Sequence, residues 1–241
     1  AALINQTGAL ELNRAVDNLP GVAKNLNAIG CLLVKEKKYD GAMKFLKDAL
    51  IINTEINDLA GQATNYGNIG NICELKGDLK KAKEYYEKAL ALDRQARNHA
   101  GTATRLNNLG KFLYRSGDTK KAFDNFSEAA ALAKKTKNTA VLAAANNNLG
   151  IIYEDRKEYA KAMSLYEEAL SLDKGNEDIE AIAIDLNNIA VLCEKLGNKK
   201  RALSFYQRSK AVNEYLRRMD RITMNEDAIK RIIDQVESAS L

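Results

Sequence analysis

Tryptophan is absent from this chain, proline occurs once, at Pro20, and histidine once, at His99. Proline breaks helix interiors, so its near absence from 241 residues, with 29% of residues charged, leaves an all-helical profile. A metal site needs clustered ligands, and a single histidine supplies none; no metal and no cofactor is expected. Cys31, Cys73 and Cys193, being odd in number, cannot all pair within the chain. They read as buried thiols of a reducing compartment, which points to the cytoplasm. No apolar run approaches the ~18 to 20 residues that span a bilayer, and the first residues lack a basic-then-apolar signal segment. No glycine-rich phosphate loop follows a strand, no serine or cysteine has a candidate histidine base, and the carboxylates are spread along the chain, so no enzyme is expected.

What the chain does contain is a period of forty. Gly30, Gly70, Gly110 and Gly150 obey it and Ala190 continues it. So do Ala42, Ala82, Ala122, Ala162 and Ala202, and Ala49, Ala89, Ala129 and Ala169. Fixed self-similarity on this scale marks a repeat array. Within the second unit Tyr66, Ile69, Ile72 and Cys73, and then Leu79, Ala82, Tyr85, Tyr86 and Ala89, follow helical spacing on either side of Gly77-Asp78, which predicts two amphipathic helices per unit. Glycine accepts the left-handed conformation beyond a helix end and the following Asp or Asn caps the next helix. Gly117-Asp118 and Gly197-Asn198 repeat this chemistry; Lys37-Lys38 and Lys157-Glu158 stand in its place in the first and fourth units. The small residues mark close approach of helices. Leu46, Tyr86, Phe126, Tyr166 and Tyr206 form one apolar ladder, and Ile52, Leu92, Leu132, Leu172 and Val212 another, so stability must come from stacking.

Asn108-Leu109-Gly110 at a first-helix end, the Gly77-Asp78 turn, and Ala82-Lys83-Glu84-Tyr85-Tyr86-Glu87-Lys88-Ala89-Leu90 resemble the tetratricopeptide repeat. The resemblance covers about residues 21 to 217. Units longer than the family's common 34 residues, the missing inter-unit proline and paired asparagines are similar to the long-repeat branch found in kinesin light chain, in LGN/Pins-type scaffolds and in some bacterial sensor and regulator arrays. It implies an all-α solenoid, a right-handed superhelix of antiparallel helix pairs, with units at 21–60, 61–100, 101–140, 141–180 and 181–217. First helices are expected near 22–36, 61–76, 101–116, 141–156 and 181–196.

The ends depart from the pattern. Residues 1–20 fit the second helix of a preceding unit, with Ala2, Ala9 and Leu10 in register, so the chain reads as a fragment with an uncovered apolar face that self-associates. Residues 218–241 read as a capping helix with a polar outer face: Lys230 breaks the register, Ile222, Ile229, Ile232, Ile233 and Val236 form a stripe, and Thr223 with Glu226 suggests a capping box.

In the family, first helices line the concave groove, and there asparagine recurs: Asn68, Asn108, Asn148 and Asn188 at one position, Asn27, Asn107, Asn147 and Asn187 at the one before. A carboxamide offers a donor and an acceptor, as an extended peptide backbone requires. The same groups could instead tie neighbouring first helices together. Other first-helix positions vary: Lys24, Thr64, Thr104, Ala144, Ile184; Asn25, Asn65, Arg105, Ala145, Asp185; Cys31, Asn71, Lys111, Ile151, Val191. They suggest a basic centre at Arg105, Lys111 and Arg115 and an acidic stretch at Glu154, Asp155, Asp185 and Glu194, beside apolar Ile151 and Val191. The family's carboxylate clamp is missing, its positions being held by Asn27, Cys31, Thr104 and Asn108. Lys80-Lys81, Lys120-Lys121, Lys161 and Lys200-Arg201 form a basic edge that could meet an anion, though acidic residues lie beside most of them. RNA recognition would need aromatic residues facing the groove, and the tyrosines other than Tyr114 hold core positions, which disfavours nucleic acid. The sequence thus points to a module that binds a peptide or disordered segment of a protein partner. Sensing of a ligand or peptide signal for a tethered output domain is the alternative, and an RNA-binding helical repeat ranks below both.

Overall fold

The computed structural model describes residues 2–237, among which twelve helices and no strands occur. They are α1 (Ala2–Ala15), α2 (Leu19–Lys35), α3 (Tyr39–Glu55), α4 (Leu59–Leu75), α5 (Leu79–Gln95), α6 (His99–Arg115), α7 (Thr119–Thr136), α8 (Thr139–Asp155), α9 (Tyr159–Gly175), α10 (Ile179–Lys195), α11 (Lys199–Tyr215) and α12 (Met219–Glu237). First helices begin about two residues earlier than the apolar spacing predicts, because Asx capping residues precede the first apolar position. The chain divides between Ser116 and Gly117 into two compact units. In the first, α2 packs on α3, α4 on α5, and α2 also touches α4; in the second, α8 packs on α9 and α10 on α11, with α12 closing on α11.

The period of forty resolves into two of twenty. The middle residue of each inter-helix turn has positive φ: Asp17, Lys37, Asn57, Gly77, Arg97, Gly117, Lys137, Lys157, Glu177, Gly197 and Arg217. Only three are glycine. Lys37 and Lys157, at φ 59° and 60°, adopt the same form as Gly77 because the backbone closes it: Lys38 N–H donates to Leu33 O and Asp78 N–H to Cys73 O, both at 2.9 Å. The Asx residue that follows then caps the next helix, as Asp58 does by accepting from Gly61 N and Asn98 from Gly101 N. Lys38 and Glu158 make no such side-chain cap. Most helices are consequently 17 residues, about 25 Å long, and equivalent side chains arrive at equivalent heights.

The ladders form as the repeat demands. Leu46, Tyr86, Phe126, Tyr166 and Tyr206 are all buried, as are the two alanine series, which Ser209 completes. In the second unit Tyr166, Leu186, Ile189, Leu192, Tyr206 and Ile232 share one core. At the other end Leu10, Val22, Leu26, Ile29 and Ala49 cluster, while Ile4 and Leu12 of α1 and Val16 in the turn after it are exposed.

Two expectations for α12 need correction. Thr223 lies inside the helix and its hydroxyl donates to Met219 O, and Glu226 pairs with Lys210 at 2.8 Å, so no capping box forms. The helix also takes the place of a further first helix: Asn225 falls at the position of Asn65 and Asp185 and is buried like them. Its outer surface is not uniformly polar, since Met219, Met224 and Val236 are exposed. The last four residues of the expected capping segment lie outside the described residues.

Close approach is testable at Gly150. A Cβ there would sit 2.5 Å from Tyr166 Cε1, whereas one at Gly175 would meet nothing within 4 Å. Gly150→Ala is expected to lower stability by the ~1 to 3 kcal/mol of an overpacked core. Gly175→Ala should be neutral or gain up to ~1 kcal/mol from helix propensity. Urea unfolding of the two variants checks both.

Candidate functional site

The first-helix asparagines make hydrogen bonds to one another. In the first unit Asn27 Oδ1 accepts from Asn68 Nδ2 at 2.8 Å and from Asn65 Nδ2 at 3.2 Å, and Asn68 also donates to Cys31 Sγ. In the second unit Asn147 Oδ1 accepts from Asn188 Nδ2 at 2.9 Å while its own amide donates to Asp185 Oδ1, and Asn187 Oδ1 accepts from Asn225 Nδ2 at 3.1 Å. Asn107 is buried and Asn148 half-buried, each with partners of its own. Asn108 differs: half-buried on α6, it makes no hydrogen bond with another described residue. The position to which it would donate, by analogy with Asn68 and Asn27, is Gly67, which has no side chain to accept.

Beneath this ladder runs a second set of polar contacts that the sequence reading did not assemble. The last turn of each second helix meets the next first helix through one residue pair twelve apart. Asn13 donates to Asn25 at 2.7 Å and Asn53 to Asn65 at 2.6 Å; Arg105 Nε donates to Asp93 Oδ2 at 3.0 Å; Asn213 donates to Asn225 at 3.1 Å. Ala133 and Ala145 take these positions once, both buried, and Asp173 and Asp185 once. Asn25, Asn65 and Asp185 are therefore buried rather than spread across a variable groove surface. Arg105, expected at a basic centre, has only 12% of its side chain exposed over a fully buried Asp93, and its other edge donates to Thr64 Oγ1 at 2.8 Å. Gly67 makes room for it: a Cβ there would lie 3.0 Å from Arg105 Nη1. The only sequence signal was the period, since positions 13, 53, 93, 173 and 213 are all Asn or Asp.

The charge gradient is largely neutralised by a third recurring contact. Tyr86 O–H donates to Glu74, Tyr166 to Glu154 and Tyr206 to Glu194, each near 2.8 Å. Each glutamate also meets a cation of the following first helix: Arg115 at 2.5 Å, Lys195 at 2.6 Å and Arg231 at 2.9 Å. Burial, then the adjacent glutamate, pushes the Tyr86 and Tyr206 phenols well up, so they remain donors. Lys111 stays exposed along its side chain on α6, while partial desolvation of its ammonium, and then Arg115, lower its pKa against the pull of Glu74. The basic edge is locally paired as well, through Lys81–Asp78, Lys121–Asp118 and Lys161–Glu158. Two recesses open between successive first helices at repeat-equivalent places. One, of about 340 Å³, is lined by Lys24, Asn27, Asn53, Asp58, Thr64 and Asn65; the other, of about 260 Å³, by Ile184, Asn187, Ser209, Asn213, Arg221 and Met224. All three cysteines are free thiols, raised by burial. Among the described residues no group of three or more His, Cys, Asp or Glu is placed for a metal ion, and no helix is long and apolar enough to cross a membrane.

Two of these pairs make sharp predictions. Removing one partner of a buried ion pair costs about 3 to 5 kcal/mol, so Arg105→Ala should destabilise the chain by that order. Asp93→Asn with Arg105→Asn, which copies the Asn53–Asn65 pair, should recover most of the loss in urea unfolding. At the carboxyl pair, burial and then the facing Asp173 push Asp185 up to about 7, against the Asn147 hydrogen bond; Asp178 adds to the rise. The unfolded carboxyl titrates near ~4. The folded state therefore binds the extra proton, and stability falls as pH rises from about 4 to about 7, the loss being complete above that. Asp185→Asn should melt above wild type at about pH 8, with the gap narrowing towards about pH 5.

Comparison with known proteins agrees with this architecture. BtubC (BKLC) from P. vanneervenii superposes with a TM-score of 0.74 at 19% identity, covering 90% of this chain and 91% of that one. The apo form of RapI gives 0.72 at 16% identity, with coverage of 90% and 84%. A kinesin light chain-type protein with TPR-like repeats from Podosopora anserina gives 0.61 at 13%, with coverage of 81% and 96%. A search of curated protein sequences gives no significant match. Family profiles described as the tetratricopeptide repeat match residues 23–54, 61–135 and 141–214. With three quarters of its length matched by these profiles, the chain belongs to the tetratricopeptide repeat family.

Proposed function

We propose that this chain is a protein-interaction module that holds a peptide or disordered segment of a partner on the open faces of its first helices, inside a reducing cytoplasmic compartment. The observation that carries the reading is a contrast within one helix face. Positions that bind neighbouring repeats change only together with the residue they face, Asn with Asn, Arg with Asp, Asp with Asp and Ala with Ala, whereas the more open positions beside them change without such a constraint. In the first unit these are exposed Lys24, Asn71 and Lys111 with half-buried Thr104; in the second, exposed Ile184 with half-buried Ala144, Ile151 and Val191. Structural repetition alone gives no reason for such variation, and selective contact with a non-repeating partner does. With Arg105, Arg115, Glu154 and Glu194 spent internally, selectivity falls to the side chains left over, foremost Asn108 and Lys111. The solved structures of similar fold are too distant in sequence to lend a partner. Ligand sensing for an output domain is the second reading, favoured by the recess beneath α12. The exposed Ile4 and Leu12 of α1, with Val16 in the turn after it, support self-association at that end.

The test starts from a displayed random-peptide library panned on the folded chain, with the best binder synthesised. Asn108→Ala is expected to weaken it by about 0.5 to 3 kcal/mol, the range for losing a hydrogen-bond partner, with urea unfolding unchanged because Asn108 holds no structural bond. Lys111→Glu should weaken an acidic binder and reduce its salt dependence. Lys120→Glu with Lys121→Glu, on the basic edge, should bind as wild type. Loss of binding in that edge variant, with Asn108→Ala unaffected, would overturn the first-helix reading.

A further inference from the structure

The recess between α10, α11 and α12 differs from its counterpart in the first unit in a way that defines a ligand. At the inner end of both recesses lies the same asparagine pair, Asn53 with Asn65 and Asn213 with Asn225. In the first unit the wall carries Asp58, which caps Gly61, so acceptor and donor groups there are matched within the protein. The equivalent residues in the second unit are Arg218 and Arg221. Two arginines compete for one carboxylate: Arg218 Nη2 holds Glu180 Oε1 at 2.6 Å, and Arg221 Nη2 stands 4.0 Å from the same oxygen. Arg221 Nη1 is buried with no partner among the described residues. The Asn213 amide nitrogen is committed to Asn225 Oδ1 at 3.1 Å and Ser209 Oγ at 3.4 Å, which leaves its carbonyl oxygen buried and unpartnered as well, in a residue only 2% exposed.

A buried guanidinium N–H and a buried amide oxygen without partners each carry a desolvation cost that nothing in the fold offsets. Asn213 and Arg221 both line a recess of about 260 Å³ whose lining also includes apolar Ile184 and Met224, which are 39% and 64% exposed. The first-unit recess has Lys24 and Thr64 at those two places. A ligand that satisfies the second recess needs an anionic group for Arg221, an N–H donor for Asn213 and an apolar substituent for Ile184 and Met224. We infer that this recess is a binding site for a carboxylate with a neighbouring N–H and an apolar side chain, the chemistry shared by a free hydrophobic amino acid and by the terminal residue of a peptide. The volume suits one residue rather than an extended segment. The carboxylate accepts from Arg221 in a charge-assisted bond, the N–H donates to Asn213 Oδ1, and the side chain lies along Met224. The site rests on its own atoms and not on the extended-segment reading, which turns on Asn108 and Lys111 of the other unit.

The probes are L-leucine, N-acetyl-L-leucine, N-acetyl-L-leucinamide and the tripeptide Ala-Ala-Leu, titrated into the intact chain with methionine-methyl NMR and calorimetry. Binding with movement of the Met224 methyl resonance is expected for a carboxylate-bearing probe. N-acetyl-L-leucinamide should bind at least about tenfold more weakly, the loss of one charge-assisted contact. Preference for free leucine assigns an amino-acid ligand, and preference for the acylated probe or tripeptide assigns a chain terminus. Arg221→Gln should weaken the preferred probe by about tenfold or more. Asn213→Asp also removes affinity, by setting a second carboxylate against the ligand. Urea unfolding separates these from loss of fold, and Lys24→Gln in the first-unit recess should change nothing. No response at Met224 with any probe at millimolar concentration, or equal affinity for the acid and the amide, would overturn the assignment while leaving the extended-segment reading standing.

Discussion

A turn of three residues, its middle one left-handed, returns every twenty positions, and the array depends on it. Because the left-handed residue recurs at the same spacing, equivalent helices within each compact unit keep register, and a side chain meets the same partner positions one repeat on. The alanine series, Gly150 beneath Tyr166 and the Tyr–Glu contacts all presuppose that register. The backbone bond from the last residue of the turn to the carbonyl five before it is strong enough to place lysine, arginine, asparagine, aspartate and glutamate where glycine would be easiest. Asx capping then begins the following helix at a fixed residue.

Register also confines the polar chemistry. Every junction brings the end of a second helix against the following first helix at one buried point, and burial demands that whatever stands there be paired. Four solutions appear: two carboxamides, a guanidinium with a carboxylate, two carboxyls, and two alanines. They are equivalent in geometry and unequal in response. The carboxamide pairs are indifferent to pH, the Arg105–Asp93 pair tolerates no loss of one partner, and the Asp173–Asp185 pair holds a proton that neutral solution tends to remove. Adjacent junctions of one scaffold thus differ in stability under the same conditions, a local property in an array whose stability is otherwise a sum over neighbours.

The contacts proposed for a partner collect where this pairing stops. Asn108 lacks the acceptor that Asn27 and Asn147 provide to their neighbours, because Gly67 has given up its side chain to accommodate Arg105. At α12 the capping pattern gives way to two arginines that share Glu180, and residues with unpartnered atoms then line a recess together with apolar Ile184 and Met224. In both places a break in an internal hydrogen-bond pattern leaves groups available for something outside the protein.

The fold was legible in the sequence because its determinants are local and repeated. Glycine and alanine at intervals of forty, apolar residues at helical spacing and the Gly-Asp turns each depend on the residue in place and a few neighbours. The asparagine ladder was visible too, but one sequence position cannot say which way a carboxamide points, so the sequence pointed to a peptide ligand while leaving internal bonding open. What the tertiary structure decided was the partner of each polar residue: Arg105 turned inward to Asp93, the glutamates engaged by tyrosine and the next repeat's cation, and α12 set as a further first helix although Lys230 breaks its register. Those contacts join residues twelve or about forty apart, and whether they form depends on the packing distance between helices. That distance is set by the volumes of many side chains at once, such as Gly67 beside Arg105, and no single stretch of sequence contains it.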